Sequence, residues 1–249
     1  MEFSDDAIVL GGRGHGETGA IVHVLTNAHG VYAAHIAGGA SRRLKAALQP
    51  GARVVFTYRA RHADQLGSAT LEIDGPTPDV LDDPLALIGL QCACTMTRAV
   101  LPEREAQPGA FHALGALIGV LDHEAIWPAI YVRYEAGLLE AIGFGLDLTA
   151  CAVTGERDAL VYVSPKSGRA VSRTAGAGYH DKLLRLPAFL QNLCRTINPF
   201  HGVAYYEVFI INLESNKASW FGFSQATSGT LRLICDQVRR ILGSGPASI

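Results

Sequence analysis

No uninterrupted apolar run of about 18 residues occurs in the chain, so no spanning helix is expected. The first residues, MEFSDD, lack the cationic start of a signal peptide, and a cytoplasmic, nucleoid-associated protein is the expectation. Cysteine is scarce and odd in number: Cys92, Cys94, Cys151, Cys194 and Cys235. That excludes a disulfide framework and fits reduced, buried thiols. Neither HExxH nor CxxC occurs, nor do the GxSxG and P-loop patterns, so neither a metalloenzyme nor a hydrolase of those kinds is indicated. His112, His123 and Glu124 are scattered rather than set at ligand spacing. Cys92 and Cys94 fall two apart on a helix, about 200° around it, and cannot chelate one ion together. No catalytic residue, metal or cofactor is expected, and the protein reads as a non-enzyme.

The most telling absence is local. Residues 41–61, SRRLKAALQPGARVVFTYRAR, contain Arg42, Arg43, Lys45, Arg53, Arg59 and Arg61 but no Asp or Glu. Yet the net charge is −2. Residues 1–63 carry seven Lys/Arg against four Asp/Glu; residues 64–124 carry two against ten; the remainder carries twelve against nine. The acids resume at Asp64, and such segregation points to surfaces with different partners.

What is present is a real core. Of 249 residues, 49% are hydrophobic, enough for one or two domains and against disorder. DAIVLGG (6–12), GAIVHVLT (19–26) and GVYAAHIAG (30–38) read as strands with glycine-bearing turns. SRRLKAALQ (41–49) reads as a short helix capped by Ser41 and stopped by Pro50-Gly51. ARVVFTYRA (52–60) and SATLEID (68–74) return to strands. Three strands, a helix and two strands is the element order of an OB-fold barrel. GHGETG (14–19) matches a dinucleotide fingerprint, but a strand follows where that motif needs a helix, so a hairpin loop is expected.

Period 2 sets Arg53, Val55, Thr57 and Arg59 on one strand face, with Arg61 continuing it, and Val54, Phe56 and Tyr58 on the other. Arg13 is placed in the first hairpin loop; Arg42, Arg43 and Lys45 lie on the adjoining helix. These seven cations are the candidate DNA-binding residues, suited to following a phosphate backbone. Tyr32 or Tyr58 would stack bases if exposed; the competing role for each is barrel core, favoured for Tyr58. Further along, 82–101, 108–122 and 125–145 read as helices, the first capped by Asp82 or Asp83 with Pro84 in its first turn.

Two blocks carry a resemblance. DAIVLGGRGHGETGAIVHVLTNAHGVYAAHIAGGASRRLKAALQPG resembles the N-terminal domain of the bacterial RecO family of DNA repair proteins. YVRYEAGLLEAIGFGLDLTACAVTG, with LVYVSPKSGRAVS and LLRLPAFL after it, resembles the family's second domain. The resemblance implies an α+β fold: a five-stranded OB-fold barrel over 1–78, then a mostly α-helical domain over 79–190 with a zinc-finger-like lobe at about 150–176. It also implies single-stranded and duplex DNA as ligands and annealing of complementary strands. The partners it implies are a RecR-type mediator, single-stranded-DNA-binding protein and, indirectly, a RecA-type recombinase. An OB-fold module for RNA or protein, without annealing, is the alternative, because the barrel alone does not choose its ligand.

The chain departs from the family pattern twice. Some members hold zinc in the lobe with four cysteines; here Cys151 alone is retained and Thr154 stands where a second would be, so no zinc is expected. Residues 191–249 replace an expected helical pair with AYYEVFIINL, strand-like, and TLRLICDQVRRILG, helical. A divergent extension, a fused segment and a frameshifted reading all stand as explanations.

Overall fold

A computed structural model of the chain describes residues 1–186 apart from 40, 63, 64, 77, 79, 81 and 125. The strand and helix expected within 191–249 lie outside the described residues. The chain divides into two compact units, Met1–Trp127 and Pro128–Ile249.

The first unit is built on a closed barrel. Its strands are β1 (Glu2–His15), β2 (Gly19–Thr26), β3 (Gly30–Ile36), β4 (Arg53–Arg59) and β5 (Gly67–Ile73), ordered β1-β2-β3-β5-β4, with the helix α1 (Arg42–Ala47) between β3 and β4. β1 begins earlier than the sequence suggests and closes the barrel by itself. Its first half pairs with β4, from Glu2↔Arg59 to Ile8↔Arg53. Its second half pairs with β2, from Ala7↔Thr26 to His15↔Gly19, with a bulge between Val9 and Gly11 that turns it from one partner to the other. Arg13 therefore lies on β1, not in the loop, and the loop shrinks to Gly16, Glu17 and Thr18. Since β2 follows directly, the glycine motif is a hairpin, not a phosphate cradle.

Alternation fills the interior with Val9, Val22, Val24, Ala34, Ile36, Val54, Phe56 and Leu71, and Ala47 of α1 plugs one end. Tyr32 and Tyr58 are also inside, their ring centroids 5.1 Å apart, with Phe3 against both. At 3% and 1% exposure they offer no face to a base, so the stacking role does not apply to them. Gly67 makes room for this cluster: a Cβ there would lie 2.4 Å from the Tyr58 ring.

Helices α2 (Pro84–Val100) and α3 (Pro108–Ile118) belong to the same unit and cover the outside of β1 and β2. That is why Ile8, Leu10 and Leu25 are buried although they point away from the barrel interior. Asp83 is the cap of α2, accepting from the amides of Leu85 and Ala86 at 2.9 and 3.1 Å. The Cys94 thiol reaches the Val9 carbonyl at 3.8 Å, and burial pushes its pKa up to about 12, so it stays protonated. Gly89 lets the Trp127 indole approach α2, since a Cβ there would sit 2.8 Å from the ring.

The second unit contains α4 (Trp127–Ala141, all but its first residue), then β6 (Leu160–Val163), β7 (Ala170–Ser172), α5 (Arg173–Gly176) and β8 (Leu184–Arg185), the strands forming a small sheet ordered β7-β6-β8. α4 buries Glu135, and burial pushes its pKa up to about 8. Among the described residues no helix is long and apolar enough to cross a membrane.

Candidate nucleic-acid interface

The seven candidate cations fall into three settings. On β4 the alternation holds: Val54, Phe56 and Tyr58 face in, while Arg53 and Arg59 face out. Arg53, however, turns toward α3 and donates from Nη2 to the Gly115 carbonyl at 3.1 Å. It lines a cavity of about 500 Å³ with Asp74 and Asp122. Arg59 is exposed but donates from Nε to Glu2 Oε1 at 2.7 Å, its register partner on β1. A pair so open to water is screened and contributes little to stability.

The second setting is α1 with its neighbours. Arg42 and Arg43 occupy the first turn of α1, where the helix dipole favours anions over cations. The helix is held by burial of Ala47 and the packing of Leu44 and Leu48 on the core. Lys45 and Arg61 are exposed and, among the described residues, pair with no carboxylate. The loop before α1 lies on the start of β2, for a Cβ on Gly39 would meet Ala20 Cβ at 2.5 Å.

The third setting is the outer face of β1, β2 and β3, where Arg13 stands exposed near the tip of the first hairpin. The sequence reading passed over three histidines on this face. His15 and His35 stand edge to face with centroids 5.9 Å apart. His23 is half-buried on β2; burial, then Arg98 of α2, then Arg13 hold its pKa below the usual histidine value, against the pull of Glu103. The strand alternation that put Val22 and Val24 inside could have found His23, and that of β3 could have found His35.

The lobe of the second unit holds a single cysteine, Cys151. Cys151 sulfur accepts from the backbone amides of Thr154 and Ser172 at 3.5 and 3.2 Å. Burial pushes this thiol up, but those hydrogen bonds outweigh it and bring it down to about 6. The Thr154 hydroxyl is directed to Glu156 instead. Among the described residues no three His, Cys, Asp or Glu side chains are grouped to hold a metal ion. One thiolate and a threonine do not fit a tetrahedral zinc site; the knuckle is closed by amide-to-sulfur hydrogen bonds instead.

A closed barrel in the order β1-β2-β3-β5-β4, with its helix between the third and fourth strands, defines the OB-fold class. Family models agree with both halves of the chain: "Recombination protein O N terminal" matches residues 1–73 and "Recombination protein O C terminal" residues 81–202. The DNA repair protein RecO of Caulobacter vibrioides (strain NA1000 / CB15N) is 65% identical over 191 residues, 76% of this chain and 79% of that protein. That of Phenylobacterium zucineum is 62% identical over 191 residues, with the same two shares, and that of Rhodospirillum centenum 50% over 193 residues, 76% of this chain and 77% of its own. This chain belongs to the RecO family, and its role is that of a mediator in DNA repair and recombination.

Proposed function

We propose that the chain binds single-stranded and duplex DNA on the outside of its barrel, anneals complementary strands, and helps load a RecA-type recombinase onto DNA covered by single-stranded-DNA-binding protein, together with a RecR-type mediator. The observation that carries the reading is the acid-free segment 41–61 mounted on an OB-fold barrel. Its physical logic is screening. Two strands repel through their phosphates; a surface that binds both lowers that repulsion and lets bases find their complements. Affinity arises from phosphate neutralisation and falls steeply with salt. Arg13, Arg42, Arg43, Lys45, Arg59 and Arg61 are the contacts we assign, while the Arg53 guanidinium holds α3. No bond is made or broken, so no catalytic group is required.

The test is the triple variant Arg42→Ala, Arg43→Ala, Lys45→Ala. Its affinity for single-stranded DNA should drop at least tenfold at low salt. The slope of log K against log salt should flatten by up to about 2, at roughly 0.7 per lost phosphate contact. Annealing of complementary oligonucleotides should slow in parallel. Unchanged affinity and slope would remove α1 from the interface. Tighter binding to RNA than to either form of DNA, measured by fluorescence polarisation, would favour an RNA-binding module.

A further inference from the structure

We infer that the DNA backbone is carried across the barrel on one hydrogen-bonded row of outward residues, and that two histidines on and beside that row, His15 and His35, act as phosphate ligands whose strength is set by pH. The inference rests on the DNA-binding reading above and names a surface for it.

The row is read from strand register. Arg13 on β1 pairs with Ile21 on β2, Ile21 with His35 on β3, His35 with Ser68 on β5, and Ser68 with Arg59 on β4. All five point outward, because their neighbours Val22, Ile36, Ala69 and Tyr58 point in; Ile21 is buried, so Arg13, His35, Ser68 and Arg59 are the members open to a ligand. Adjacent strands are about 4.8 Å apart, so Arg13, His35 and Arg59 recur at intervals of about 10 Å. That is a spacing an extended single strand can meet with a phosphate at each cation. Ser68 is exposed between two of them and supplies a neutral donor. His15 lies two register positions beyond Arg13, on the same face, its ring against that of His35. A Cβ on Gly19 would fall 2.4 Å from His35 Nε2, so β2 is bare of side chain where this ring lies.

The charged residues nearest in register are Arg13, two residues before His15 on β1, Glu17, two residues after it in the hairpin turn, and Arg59 on β4, two strands from His35 and held by Glu2. Neither ring makes an ion pair with a carboxylate among the described residues. Histidine changes charge between about pH 5 and 8. Bound phosphate favours the protonated ring, so binding takes up protons and tightens as pH falls.

The experiment measures the affinity of the full chain for a labelled oligothymidylate by fluorescence polarisation at pH 6.0 and 8.0 and constant ionic strength. The wild type should bind at least fivefold tighter at pH 6.0. In the double variant His15→Gln, His35→Gln that ratio should fall to below twofold, while His123→Gln, exposed and off the row, should keep the wild-type ratio. A ratio in the double variant equal to that of the wild type overturns the inference, as does a wild type that binds at pH 8.0 without tightening. Absence of binding at both pH values overturns the DNA-binding reading itself. Should the double variant unfold, Ser68→Glu puts a carboxylate into the row at an exposed position. It should weaken binding at least fivefold, whereas Gly109→Glu, equally charged, with open space around its Cβ on α3, should bind like wild type. Equal binding by these two removes the row.

Discussion

The two ends of this barrel treat their cations in opposite ways. At the end where β2 turns into β3, each has a partner. His29 Nδ1 lies 2.9 Å from Asp5 Oδ2, which also accepts from the Ala28 amide at 2.7 Å. Arg104 lies 5.8 Å from the centre of the Tyr32 ring. The backbone of Glu103 bridges Val31 here, and that of Glu105 lies against Gly30. At the end where β1 turns into β2, Arg13, His15 and His35 pair with no carboxylate among the described residues. Partnered charge holds a turn together; unpartnered charge is left for a ligand.

That contrast is broken most directly at Asp5. Asp5→Ala would leave the Ala28 amide and the His29 ring without their acceptor, at a cost of about 2 kcal/mol. The urea midpoint should fall accordingly, while DNA affinity stays within twofold of wild type. Arg13→Ala should do the reverse. It removes an exposed side chain, so stability should stay within about 0.5 kcal/mol. DNA binding should weaken severalfold, with a salt slope shallower by about 0.7 for a single strand. If the two variants moved stability and binding together, the ends would not be functionally distinct.

Arg59 sharpens the comparison because it mixes the two behaviours: its register puts it on the proposed DNA row, yet Glu2 holds it. Both side chains are more than half exposed, so the pair is worth under about 1 kcal/mol. Glu2→Gln should therefore leave the melting temperature almost unchanged. It should tighten DNA binding two- to threefold at low salt by freeing Arg59. The gain should vanish in Arg59→Ala, and a gain that persists there would trace to net charge alone.

How much of this was legible in the sequence depends on the kind of order involved. The barrel was, because period-2 strands and glycine turns are local signals, and Val54, Phe56 and Tyr58 alternate as they must. The outward direction of Arg53 and Arg59 was legible for the same reason. Their divergent roles were not. Arg53 meets Gly115, 62 residues away, and Arg59 meets Glu2, 57 residues away; no window along the chain contains either pair. Arg13 was put in a loop because three glycines in the hairpin looked like a turn, whereas pairing with β2 extends the strand to His15. Helices α2 and α3 group with the barrel in one compact unit, covering strands whose outward Ile8 and Leu25 give no local sign of a cover. The family resemblance supplied the DNA role; composition alone gave only unevenly distributed charge.

His23 lies between the two ends and makes the smallest test. Arg98 and Arg13 act against its protonation and Glu103 acts for it. Burial, Arg98 and Arg13 together depress its pKa in the folded protein. Between that lowered value and the ordinary 6.5 the unfolded chain binds more protons than the folded one, so this residue destabilises the fold as pH falls below about 6.5. DNA phosphates laid on Arg13 would neutralise part of the opposing charge and raise the same pKa. NMR titration should therefore show the His23 pKa rising in Arg98→Ala, and rising again when an oligonucleotide is added to the wild type. It should fall in Glu103→Gln. If DNA moved the His15 and His35 resonances but left the His23 titration untouched, the bound backbone would stop at the hairpin end and never approach the other.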